Sequence, residues 1–391
     1  MIRVLNVPEK HPLNKLSERL KERIVASQTD GIDSEFKTGH ELCARALSDL
    51  KVSISPPRSL SAISATDLGD KPLKELITLY SEMLSRSGVP EQAIPLQASN
   101  LSHRTQLLRA FHDPDKVISV TCDKVVEKVG DFPKSANDIR CGRNPGDVLD
   151  PYILAAAQVL MCSGDFKGTV SSTVAHKVLM IIEGLLGHLH EDVIGAMRGN
   201  VRAPEPRGAD QETLDPAMNP FPGADIVQPP LGTGRPLRFH QVKSKTGSAK
   251  GGDGRRLGLQ LSALMALYGG EAYYDALIGN TLRGHRSMAG VRKAAPTVVV
   301  LVGEAAFREL TSSTAGPQLL LRLYQSSFEV ASRQTGYVFS EVVSAVFTTF
   351  RKRADELGEG FLEAILHDAT SGKVAEQDSR KFGKRRLAEE L

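Results

Sequence analysis

Between Asn219 and Arg256 the chain reads NPFPGADIVQPPLGTGRPLRFHQVKSKTGSAKGGDGRR, and no other stretch limits the fold as tightly. A short apolar run, Gly223-Ala224-Asp225-Ile226-Val227, carries a lone carboxylate. A loop punctuated by Pro229, Gly232, Gly234 and Pro236 follows, and then Leu237-Arg238-Phe239-His240-Gln241-Val242-Lys243 alternates in polarity. β-Favouring residues on both sides of such a loop predict a hairpin, with Asp225 on one strand and Gln241 and Lys243 on the next. Alternate strand residues share a face, so Gln241 and Lys243 point the same way. One carboxylate, one amide oxygen and one ammonium then meet on one patch of sheet. That patch suits a divalent cation and a water molecule.

The flanking sequence supplies the rest of a core. Val174, Val178, Ile181, Ile182, Leu185, Leu186, Leu189, Val193 and Met197 recur at helical spacing behind Ser171-Ser172-Thr173, which reads as an N-cap. On the opposite flank His176, Glu183 and His190 repeat every seven residues, about 10 Å of helix, too far apart to share one ion. A short strand is expected at 200–203 and a helix at 257–267. The continuous apolar run Pro296–Val302 reads as a buried strand. The order is helix, three strands, helix, strand.

Residues 1–165 read as mainly helical, with amphipathic periodicity at 13–27 and 73–87 and further helices at 101–111 and 151–161. They hold no catalytic spacing, so a recognition or dimerisation region or plain scaffold is expected. Beyond Leu319 the pattern is helical again, at 328–332, 339–350 and 357–366, before the charged tail DSRKFGKRRLAEEL. The expected division is therefore 1–165, 166–310 and 311–391.

Asp225, followed sixteen positions later by Gln241-x-Lys243, resembles the PD-(D/E)xK nuclease signature, with Gln241 where that family usually has Asp or Glu. The KTGSAKGGDG that follows resembles the basic, glycine-rich loop after this lysine in several type II restriction endonucleases. The resemblance covers roughly residues 170 to 305, about a third of the chain. It implies an α/β, restriction-endonuclease-like αβββαβ core with a mixed central sheet, the order that periodicity gives above.

For the site, the resemblance implies Mg2+ bound by Asp225, with the Gln241 amide oxygen, the Val242 carbonyl and Glu183 of the preceding helix as further ligands. Lys243 is implied to orient or deprotonate the attacking water. Magnesium takes oxygen ligands and keeps several waters, which fits such a set. Lys245, Lys250, Arg255 and Arg256 against one acid, Asp253, are expected to meet DNA phosphates, and Arg283, His285, Arg286, Arg292 and Lys293 extend the basic character. The implied activity is a type II restriction endonuclease cutting double-stranded DNA. A homodimer is implied because palindromic sites match two-fold symmetry, and a cognate DNA methyltransferase is implied genetically. Gln241 removes one negative charge from the ion's shell. A repair or recombination nuclease, or a noncatalytic DNA-binding protein on the same fold, therefore stands beside the first reading.

Bulk properties narrow the classes. With 41% hydrophobic and 24% charged residues the chain is globular, and a net charge of +3 means that any DNA affinity rests on a local basic patch. Cys43, Cys122, Cys141 and Cys162 form no CxxC pair, which argues for free thiols rather than a zinc ribbon or disulfide framework. MIRVLNVPEKHPLNK lacks an apolar signal core, and no run reads as long enough to span a membrane, so a soluble cytoplasmic protein is expected. No GxSxG elbow, P-loop or dinucleotide fingerprint is present.

Overall fold

The computed structural model describes residues 2–140, 150–205, 213–245, 253–279, 286–313, 315–358 and 360–370. It is a mixed α/β structure whose single described sheet has five strands in chain order: β1 (Val201–Arg202), β2 (Ile226–Gln228), β3 (Arg238–Lys245), β4 (Glu271–Ile278) and β5 (Val299–Val302). β1, β2 and β3 pair antiparallel, and β3, β4 and β5 pair parallel. The connections explain the change of sense. A Pro/Gly turn, closed by the Leu231 N–H to the Arg235 carbonyl, brings β3 straight back along β2. Parallel neighbours need a crossover. The helices Asp253–Tyr268 and Arg286–Ala294 provide the two that are required here.

One face of the sheet presents Val201, Val227, Phe239 and Tyr274 to Leu257, Leu261 and Leu264 of the 253–268 helix and to Leu13, Leu20 and Ile24 near the N-terminus. Phe221, Phe239 and Tyr268 stack in tilted pairs with centroids 5.5–5.9 Å apart. Fully burying a side chain such as Phe239 contributes about 2–3 kcal/mol, so this layer fixes the strand register. The other face buries a polar pair. His240 Nδ1 lies 2.8 Å from Asp275 Oδ2, with both side chains fully buried, and the imidazole stacks on Tyr273 at 4.8 Å.

Three sequence expectations change here. β4 is additional, and it pairs with β3 in the place expected for the 296–302 strand. Its EAYYDALI sequence is buried on both faces, so it shows no alternation to read. The 296–302 run instead forms the edge strand β5, whose Val299 is 40% exposed. The long helix runs over Phe166–Gly195, starting five residues before Ser171. Asp165 caps it by accepting from the Lys167 and Gly168 N–H groups, and Ser171-Ser172-Thr173 lie inside the first turns. At this length that helix is also long and apolar enough, by composition, to cross a membrane, which the sequence reading had not given it.

Residues 2–118 and 189–323 form one compact unit, and 119–188 and 324–370 a second. The first contains the sheet and a helical core around Leu42, Leu76, Tyr80, Leu84 and Leu101; the second is helical, with Leu154, Val170, Val174, Val346 and Phe350 in its core. These units do not follow the consecutive blocks 1–165, 166–310 and 311–391. Their boundaries fall inside the helices Pro114–Arg140, Phe166–Gly195 and Gly316–Thr335, where no turn residue marks them. The helices expected at 73–87, 151–161 and 339–350 are observed as Leu73–Arg86, Pro151–Leu160 and Phe339–Leu357. Cys43, Cys122 and Cys162 are free thiols. The charged C-terminal tail and Cys141 lie outside the described residues.

Candidate active site

Asp225 closes a tight turn that only glycine at 223 permits. Gly223 has φ +79°, and a Cβ there would lie 2.8 Å from the Cβ of Gln260. The Ala224 N–H donates to the Phe221 carbonyl, and the Asp225 N–H donates to the His240 carbonyl at 2.8 Å, opening the β2–β3 ladder. The register pairs Ile226 with His240 and Val227 with Phe239, and Asp225, just before the first of these pairs, sets its side chain against that of Gln241. Both side chains rise from the face that carries Phe239.

Just before β2 begins, the Asp225 carboxylate takes over the role of a strand. Its Oδ2 accepts the Val242 N–H at 2.8 Å, and the Gln241 Nε2 donates to the same oxygen. The Val242 carbonyl lies 3.5 Å from that amide nitrogen. In β4 the register neighbours are Tyr274 beside Gln241 and Ala276 beside Lys243. Tyr274 is fully buried and donates to Ser287 Oγ at 3.1 Å, forming a fixed floor. Lys243 follows Gln241 by two residues on the same face and is half-buried.

Burial raises the Asp225 carboxyl to about 7, and the negative charge of Glu191 adds to the rise. The Lys243 ammonium, the Val242 N–H and Arg202 pull the other way. Glu191 is the acid that sequence reasoning missed. It stands near the end of the Phe166–Gly195 helix, 3.1 Å from an Arg202 guanidinium nitrogen, and Arg202 of β1 also pairs with Asp192. The available signal was the adjacent pair Glu191-Asp192 at the close of an apolar helix, immediately ahead of the first strand. Glu183, the expected acid on this helix, is exposed and belongs to the second unit.

The expected DNA-contacting residues are distributed as follows. Lys245 ends β3, paired with Ile278. Arg255 and Arg256 are exposed in the first turn of the 253–268 helix, and Lys250 lies outside the described residues. That helix start is held tightly, since a Cβ on Gly254 would come within 2.2 Å of the Ser287 carbonyl oxygen. Arg292 and Lys293 are exposed one helix further on, whereas Arg283 and His285 lie outside the described residues.

Among the described residues no three His, Cys, Asp or Glu side chains are grouped to hold a metal ion. The site offers the Asp225 carboxylate with one amide and one backbone carbonyl, and Glu191, paired with Arg202, acts on Asp225 through its charge. Magnesium takes one or two carboxylates and completes its shell with water and substrate phosphate, so this donor set fits it. A carboxyl pushed up by burial and by a neighbouring acid is one whose ionised form a cation would restore. Gln241 turns its nitrogen to Asp225, and presenting its oxygen to an ion requires the amide to rotate by half a turn. Neither the models of known protein families nor the curated proteins match this chain.

Proposed function

We propose that this chain is a magnesium-dependent deoxyribonuclease that hydrolyses double-stranded DNA at a specific sequence, in the manner of a type II restriction endonuclease. It works in the cytoplasm as a homodimer beside a cognate methyltransferase. The observation that carries the reading is the contact of Asp225, immediately before β2, with Gln241 of β3, with Lys243 next along the same face. The succession of helix 166–195, β1 to β3, helix 253–268 and β4 supports a restriction-endonuclease-like αβββαβ core.

Asp225 would hold Mg2+, with the Val242 carbonyl and a rotated Gln241 completing the protein's share. Bound there, the ion supplies Lewis-acid polarisation of the phosphate and a water of lowered pKa. Lys243 holds that water against the phosphorus and offsets the charge that builds on the phosphoryl oxygens. The water oxygen bonds to phosphorus as the bond to the leaving deoxyribose oxygen breaks; solvent takes the proton that the water sheds and gives one to the leaving oxygen. Arg255 and Arg256 meet the phosphate backbone, where they set position rather than sequence.

A noncatalytic DNA-binding protein is the second reading. It is favoured by the Gln241 amide donating to Asp225, a bond that satisfies the carboxylate without an ion. Plasmid DNA incubated with Mg2+ separates the readings. Discrete fragments are expected, with none from Asp225→Ala, while that variant still binds the duplex in Ca2+. Undiminished cutting by Asp225→Ala removes the site assignment, and binding without cutting by the unaltered chain favours the second reading.

A further inference from the structure

The helix Glu18–Thr29 lies against β1, the outer strand of the described sheet. Its Leu20 and Ile24 share a core with Val201, Ala203, Ala224 and Val227, and its Gln28 Nε2 donates to the Pro230 carbonyl at 2.7 Å. The Ala203 N–H in turn donates to the Asp225 carbonyl at 2.8 Å. Core packing at one end and a hydrogen bond at the other thus fix this helix beside the strand that borders Asp225.

Arg19 and Arg23 stand one turn apart on the helix and share a face. Arg23 is half-buried, and among the described residues no carboxylate or carbonyl reaches its guanidinium. Its charged neighbours carry its own sign. Arg19 and Arg202 add to burial in loosening its hold on the proton, below the ordinary arginine range. Arg202 brings no spare acid with it, because Glu191, Asp192 and Glu205 are already paired to its guanidinium. Other arginines of this unit that are covered to the same degree or more are treated differently. Arg104 holds Asp49 and Asp115, Arg198 holds Asp30 and Glu35, and Arg238 holds Glu271 and Glu309. A desolvated charge set against like charges is unfavourable unless something outside the chain pairs with it.

We propose that Arg23 binds a backbone phosphate of the duplex next to the one that is cut, and so sets the DNA against Asp225. The inference rests on the nuclease reading and deepens it, by giving the N-terminal helix a positioning role. A guanidinium presents parallel N–H donors that match two phosphate oxygens, and the added negative charge relieves the contact with Arg19 and Arg202. The charge of Arg202 is felt by both Arg23 and Asp225, which puts Arg23 close to the site. A phosphate contact fixes register on the duplex and reads no base.

Filter binding of the full chain in Ca2+ over a salt series tests the contact. Arg23→Met should bind about tenfold more weakly with a log–log salt slope smaller by about one unit, and Arg23→Lys should restore the slope. Urea unfolding without DNA should place the Arg23→Met midpoint at or above that of the unaltered chain, since an unpaired charge is removed and an apolar stem kept. Exchanging phosphates singly for uncharged methylphosphonate should find one beside the cut whose loss weakens binding by the unaltered chain but not by Arg23→Met. If the unaltered chain cuts DNA and Arg23→Met keeps its salt slope, the inference falls and the nuclease reading stands. A lowered urea midpoint, which would assign Arg23 to the fold, or a matching phosphate remote from the cut has the same consequence. A chain that does not cut DNA removes the nuclease reading and this inference with it.

Discussion

The carboxylate of Asp225 and the amide of Gln241 face each other across the mouth of the β2–β3 pair, and the amide donates to the oxygen that also receives the Val242 N–H. The bond lies just outside the last antiparallel register pair, Ile226 with His240. A cation bound by Asp225 would compete with that amide.

Replacing that amide by an acid should therefore tighten cation binding and loosen the ion-free fold. Gln241→Glu sets a second carboxylate opposite Asp225, whose charge form already suffers from burial and Glu191. Thermal unfolding in EDTA at pH 8 should occur at lower temperature than for the unaltered chain, and Ca2+ should raise it by more. An apparent affinity gain of about tenfold corresponds to roughly 1.4 kcal/mol. No change in the Ca2+ response would mean that the two residues do not share an ion.

Stability without a cation should depend on pH through Asp225. Its carboxyl is raised to about 7 in the fold from an ordinary value of 3.8. Between those values the folded chain keeps a proton that the unfolded chain releases, so stability falls as pH rises through this window and levels off above it. Asp225→Asn should remove that part of the slope, at most about 4 kcal/mol given about 1.4 kcal/mol per pKa unit. Glu191→Gln should lower the upper edge of the window. Urea unfolding of the three proteins between pH 5 and 8 in EDTA measures both effects.

Lys243 and Lys245 should fail differently. Lys243 follows Gln241 on the site's face, whereas Lys245 lies a further ~6.6 Å along β3, at its end. Lys243→Ala should lower single-turnover cleavage by about a thousandfold and leave duplex affinity within about threefold, the pattern of an interaction made in the transition state. Lys245→Ala should chiefly weaken binding and reduce the salt slope by about one unit. If Lys245 proves to govern turnover, the assignment of Lys243 to the water is wrong.

Arg255 and Arg256 are exposed at the start of the 253–268 helix, whose N-terminus itself favours anions. Changing both to alanine should cut the dependence of log affinity on log salt by about two units while saturating cleavage is unaffected. An unchanged salt slope in a filter-binding titration would place the DNA on another surface.

The hairpin was legible in the sequence because its signals are local. Pro229, Gly232, Gly234 and Pro236 mark a turn that the chain must make, and alternation sets Gln241 and Lys243 on one face wherever the strand lies. The helices Leu73–Arg86, Phe166–Gly195 and Phe339–Leu357 were legible for the same reason, whereas Pro114–Arg140 was not read at all. β4 was not, because a strand covered on both faces loses its alternation, and its Asp275 is tolerated only by contact with His240, 35 residues away. Nor did the chain reveal that Glu191 bears on Asp225. That acid stands near the end of a helix 34 residues before Asp225 in the sequence, where Arg202 of β1 pairs with it. Periodicity along the chain thus determined where the hairpin and several helices would form. Which charges meet was decided by sheet register and helix docking, since electrostatic partners are chosen by distance in space and leave no period to read.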